Sequence, residues 1–97
     1  MSAEGKAESF RAEFTIANPR GLHARASAKL VQIAAKFDAE ITVAKDGMSV
    51  SARSIMGLMM LAAAMGSSIA VEAKGREAKA AMAALGALIQ GGFGEES

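Results

Sequence analysis

The chain has 97 residues, 52% of them hydrophobic, which is enough for one compact domain with a single core and too little for two. Eleven basic against ten acidic residues leave a net charge of +1, so no strong field draws in nucleic acid or an anionic membrane. Cysteine is absent and there is one histidine, which excludes disulfides, thiolate nucleophiles and the usual multi-ligand zinc site; neither metal nor cofactor is expected. Residues 1–9 lack the basic start and apolar run of a secretory signal and read as a disordered tail, with cytoplasmic residence expected. The longest apolar run, Ile55 to Met65, contains Gly57 and falls short of the ~20 residues a membrane-spanning helix needs.

Phe10, Ala12, Phe14 and Ile16 alternate with polar residues, the period-2 signature of a strand with one buried face. Asn18-Pro19-Arg20-Gly21 breaks the chain, and from about His23 the spacing of Leu30, Ile33, Ala34 and Phe37 predicts a helix. Glu40 to Lys45 and Met48 to Ala52 flank Asp46-Gly47, a turn pair favoured in tight hairpins, so the second and third strands are antiparallel. Ser54 stands as the N-cap of a short helix beginning at Ile55, with Gly66 as its closing glycine. Ile69, Val71 and Ala73 give a fourth strand, and Ala78, Met82, Leu85 and Ile89 a last helix. The order is β-α-β-β-α-β-α, an α+β fold in which a four-stranded antiparallel sheet carries its helices on one face. The domain spans residues 10–90, and the glycine-rich segment 91–97 is expected to be a flexible C-terminal tail.

His23 falls in Gly21-Leu22-His23-Ala24-Arg25, where the first strand gives way to the first helix. The opening turn of a helix has unpaired N–H groups and a partial positive charge, so it suits an anion such as a phosphoryl group on the imidazole. Arg25 offers a guanidinium that can bind phosphate oxygens bidentately, with Arg20 as a second source of charge. Spacing alone favours the plainer reading, a surface histidine at a helix cap beside a solvated arginine.

Those five residues resemble the active-site motif of HPr, the phosphocarrier of the phosphoenolpyruvate-dependent phosphotransferase system. Arg53-Ser54-Ile55-Met56-Gly57-Leu58-Met59 resembles the family's second signature. The resemblance runs from about Phe10 to Ile89. It implies an HPr-like open-faced β-sandwich with three helices on one face, phosphorylation of His23 through Nδ1, and Arg25 supporting the phosphate. By the same resemblance the chain is a carrier and not an enzyme. It accepts from enzyme I and donates to a IIA-type protein or domain, working as a monomer. The family commonly has Pro-Ala after the arginine; here Ala26-Ser27 follows, closer to the nitrogen-related or regulatory branch than to the sugar-transport carriers. Alanine is itself a strong helix former, so the helix start survives that change. Ser27 reads as a solvent-facing helical serine.

Ser54 is explained structurally as a cap worth about 1 kcal/mol, and the resemblance also makes it the target of an HPr kinase/phosphorylase. Ile55, Met56, Leu58, Met59 and Met60 are more apolar residues than one short helix buries, so part of the segment faces outward. Leu58 and Met60 are evenly balanced between core and surface. Methionines adapt to several partners, and by resemblance Ile55, Met56 and Met59 form the docking patch, where Gly57 would let a partner approach closely. A rival reading keeps this patch and drops phosphotransfer, leaving a purely regulatory protein-binding domain. An RNA-binding module is disfavoured by four Phe, no Tyr, no Trp and the small net charge.

Overall fold

The computed structural model describes residues 8–95. The elements are β1 (Glu8–Thr15), α1 (Ala24–Ala34), β2 (Glu40–Lys45), β3 (Met48–Ser51), α2 (Ile55–Met60), β4 (Ser68–Gly75) and α3 (Ala78–Gln90), closed by a 3-10 turn at Gly92–Gly94. The expected order β-α-β-β-α-β-α is present. One sheet holds all four strands in the order β1-β4-β2-β3, and every neighbouring pair is antiparallel.

Register explains why only one face is covered. Ala12 pairs with Val71, Val71 with Val43, and Val43 with Val50, so an apolar row crosses all four strands. One residue along, Arg11, Glu72, Thr42 and Ser51 form the corresponding polar row. Because side chains alternate with a period of two, the first row meets the helices and the second lies on the open face. Val43 and Val71 are fully buried, each worth roughly 1.5–3 kcal/mol of transfer free energy. The hairpin between β2 and β3 turns through Asp46 and Gly47, both at positive φ (52° and 83°). These are the backbone angles a two-residue turn needs to follow the twist of its strands.

α1 buries Ala26, Ser27, Leu30 and Ala34, and α3 buries Ala78, Ala81, Leu85, Gly86 and Ile89. Leu58 is the buried residue of α2. Ser27 corrects the sequence expectation: it is fully buried, and its Oγ donates to the Leu22 carbonyl at 3.2 Å. A small hydroxyl with a local acceptor can be buried without leaving an unpaired polar group.

Gly66 is not the end of α2. That helix closes at Leu61 through the carbonyls of Leu58 and Met59, while Gly66, at φ 90°, donates its N–H to Ile16 and starts the approach to β4. At the N-terminal end, Glu8 and Ser9 belong to β1 instead of a tail; the remainder of that expected tail, 1–7, lies outside the described residues. The C-terminal expectation changes most. Over 92–94 the chain makes a 3-10 turn, and Phe93 is fully buried. Residues 96–97 of that expected tail lie outside the described residues.

Candidate functional site

His23 is the N-cap of α1, with extended backbone (φ −74°, ψ −177°). Its carbonyl accepts the Ser27 N–H at 2.9 Å, the first bond of the helix. Its Nδ1 accepts the Arg25 N–H at 3.3 Å, so the ring performs the capping role usually taken by a serine or aspartate side chain. Nδ1 is therefore turned toward the first free amides of the helix.

The position of the ring depends on Gly21. This residue has φ +64°, and a Cβ there would lie 2.2 Å from the Ala63 carbonyl oxygen. Without the side chain, the loop before α1 lies directly on the segment after α2, and Leu22 donates its N–H to Ala63 at 2.9 Å. Asn18, itself buried, donates from Nδ2 to the Gly21 carbonyl at 2.8 Å. Glycine and asparagine thus fix the loop that presents His23.

On the other side of the ring, Nε2 is paired with Oε2 of Glu95. The second carboxylate oxygen, Oε1, accepts from Asn18 Nδ2 at 3.0 Å. Glu95 is held there by its own chain: Phe93 is buried two residues earlier, and its carbonyl accepts from Lys29 Nζ at 2.6 Å. The hydrogen bond from Asn18 lowers the Glu95 carboxyl below its ordinary range; desolvation, the next largest effect, opposes it, and the bond and charge of His23 and the charge of Lys29 add smaller lowering effects. Asn18, Lys29 and Glu95 were not singled out in the sequence. Asn18 read only as part of a chain break, and Glu95 stood in the segment taken for a tail.

Arg25 is exposed; among the described residues its guanidinium makes no hydrogen bond or ion pair, and its backbone N–H meets the imidazole. Arg20 is exposed too, and lines an open depression with His23, Met59 and Ala62. That depression joins the histidine to α2. Ser54 caps α2 as expected, its Oγ accepting the Gly57 N–H at 2.9 Å. The apolar residues of α2 divide: Leu58 is fully buried, while Ile55, Met56, Met59 and Met60 are exposed by 39%, 74%, 43% and 65%. Gly57 faces inward. A Cβ there would come 3.1 Å from Val50 Cβ and 3.0 Å from Ser54 Oγ, so the missing side chain serves packing on β3 and the cap. No group of three or more His, Cys, Asp or Glu side chains suited to a metal occurs among the described residues. No described helix is long and apolar enough to cross a membrane.

Comparison with known proteins agrees with this geometry. Residues 10–91 match the PTS-HPr family model, described as the PTS HPr component phosphorylation site. The phosphocarrier protein HPr of Cupriavidus necator is 52% identical over 81 residues, covering 84% of this chain and 91% of that relative. The phosphocarrier protein NPr of Shewanella violacea is 46% identical over 85 residues, covering 88% and 93%. The crystal structure of HPr-C-His from Thermoanaerobacter tengcongensis superposes with a TM-score of 0.86 at 42% identity, over 91% of this chain and 99% of that one. With a capping histidine at the head of α1, an open-faced four-stranded sheet and this degree of likeness over most of its length, the chain belongs to the HPr family of phosphocarrier proteins of the phosphotransferase system.

Proposed function

We propose that the phosphoryl group is carried on Nδ1 of His23, accepted from phosphorylated enzyme I and passed to a IIA-type protein, the chain acting as a cytoplasmic monomer. The observation that carries this reading is the orientation of the ring, whose Nδ1 faces the Arg25 N–H at the start of α1. A phosphoryl group built there meets free helix amides and the positive end of the helix dipole. Arg25, unpaired among the described residues, is close enough in sequence to turn its guanidinium onto the phosphate oxygens. Ile55, Met56 and Met59 are the docking residues; Met59 borders the same depression as His23, so one partner surface can cover both.

The test is direct. Enzyme I and phosphoenolpyruvate label the protein with an acid-labile, alkali-stable phosphoramidate, and His23→Ala abolishes the label, since the chain has no other histidine. Stable labelling of that variant would overturn the assignment. Ala26-Ser27 leads us to offer nitrogen-related IIA proteins beside sugar-specific ones as acceptors. A kinase acting on Ser54 would put about two negative charges at the edge of the docking patch, weakening transfer from enzyme I.

A further inference from the structure

We propose that Glu95 is a positioning residue for phosphotransfer: its carboxylate holds the His23 proton on Nε2, leaving Nδ1 unprotonated and able to attack phosphorus once it gives up the weak Arg25 N–H contact, and then holds the cation that forms. This rests on His23 being the phosphorylated residue. Two contacts on opposite sides of the ring demand the same tautomer. The Arg25 N–H is a donor directed at Nδ1, which must therefore bear a lone pair. An ionised carboxylate only accepts, so Nε2, paired with Glu95 Oε2, must bear the proton. Either contact alone would leave the ring free to flip or exchange; together they fix it.

The carboxylate is itself built into place. Asn18 Nδ2 bridges Glu95 Oε1 at 3.0 Å and the Gly21 carbonyl at 2.8 Å, tying the acid to the loop that presents His23. Phe93 is anchored in the core, and Lys29 Nζ holds its carbonyl at 2.6 Å. Glu95 and His23 are only 16% and 17% exposed, so water competes weakly for either side chain. The arrangement follows the logic of a carboxylate that orients a catalytic imidazole and stabilises its cation without taking the proton.

The step balances without a further reactant. The Nδ1 lone pair forms the N–P bond as the bond from phosphorus to the leaving atom of the phosphorylated partner breaks, and that electron pair stays with the partner. Nε2 keeps its proton, so the ring becomes a phosphoimidazolium with its positive charge beside the Glu95 carboxylate. On transfer to the acceptor the N–P electron pair returns to Nδ1 and the neutral tautomer is restored. Glu95 touches neither phosphorus nor Nδ1, and its effect is exerted through the ring.

The experiment uses the full chain labelled with 15N, wild type, Glu95→Gln and Glu95→Ala. Long-range 1H–15N correlation reads the His23 tautomer at a pH where the ring is neutral, and enzyme I with phosphoenolpyruvate gives the rate of phosphoryl gain. In wild type Nε2 is protonated and Nδ1 bare. Glu95→Gln keeps an acceptor for Nε2–H, so it retains the tautomer but loses the charge and gains phosphoryl more slowly. Glu95→Ala loses both, shows a mixture of tautomers, and is slower by roughly ten- to a hundredfold, the range found when the carboxylate orienting a metal-bound imidazole is removed. A merely structural role would leave the tautomer unchanged and give Gln no advantage over Ala. Wild-type tautomer and rate in Glu95→Ala would overturn the proposal while leaving His23 as the labelled residue. Failure of wild-type protein to be labelled on His23 would overturn the phosphocarrier assignment of that residue, and this proposal with it.

Discussion

Arg25 contributes its backbone N–H to the histidine and leaves its side chain in solvent, so its two roles can be separated by substitution. Arg25→Ala keeps the amide and the helix, and thermal unfolding should place its stability within about 0.5 kcal/mol of wild type. Transfer from enzyme I should slow by roughly ten- to a hundredfold, the equivalent of a charge-assisted hydrogen bond of about 1.5–3 kcal/mol; an unchanged rate in both directions would remove Arg25 from the site. Glu95 carries a pH signature. Its carboxyl is lowered in the folded protein, first by the Asn18 hydrogen bond, so the folded state binds this proton less readily than the unfolded chain. The linked stability is fully present above the unfolded carboxylate pKa, and is lost as pH falls through the lower folded value. Acid titration of stability should therefore be steeper in wild type than in Glu95→Gln below about pH 4.5, and parallel curves would contradict the pairing.

At the scale of elements, two short segments set the site: the loop before α1 and the cap of α2. Gly21→Ala puts a Cβ 2.2 Å from the Ala63 oxygen at a φ of +64°, where strain alone costs about 1–3 kcal/mol. It should destabilise the fold and displace His23, seen as a lowered melting temperature and a shifted ring resonance. Ser54 tests the cap against the patch. Ser54→Ala removes the acceptor of the Gly57 N–H and should cost about 0.5–2 kcal/mol while transfer stays nearly normal. Ser54→Asp keeps a capping oxygen and adds charge at a helix N-terminus, so stability should equal or exceed wild type. Transfer from enzyme I should weaken, because the charge lies beside Ile55, Met56 and Met59. Equal apparent affinity in the Asp variant would place Ser54 outside the docking face.

For the whole molecule, the C-terminal turn joins the core to the histidine. Phe93 is fully buried at a φ of 59°, so packing must outweigh the strain of a left-handed aromatic residue. Phe93→Ala should cost about 3–5 kcal/mol by calorimetry or denaturant titration, and should also release the ring of His23 to both tautomers. Loss of stability with an unaltered tautomer would uncouple the anchor from the site.

Much of this architecture was legible in the chain because its signals are local. Alternation in β1 and β4, the Asp46-Gly47 turn, the Ser54 cap and the helical spacing of Leu30 and Ala34 each lie within a few residues, so backbone preference and burial agree without reference to the rest of the molecule. The helix start in Gly21-Leu22-His23-Ala24-Arg25 was legible for the same reason: the chain break, the capping imidazole and the first helical residues are one segment. What only the tertiary structure decided are pairings between distant segments. Ser27 looks solvent-facing in the sequence, and only its burial against the Leu22 carbonyl shows why a small hydroxyl is there. A frayed glycine-rich end is the default when no periodicity is present, yet Phe93, in the turn that packs on α3, finds a place in the core. That burial carries Glu95 across 72 residues of chain to His23, and no local pattern records a contact that forms only after the core has closed.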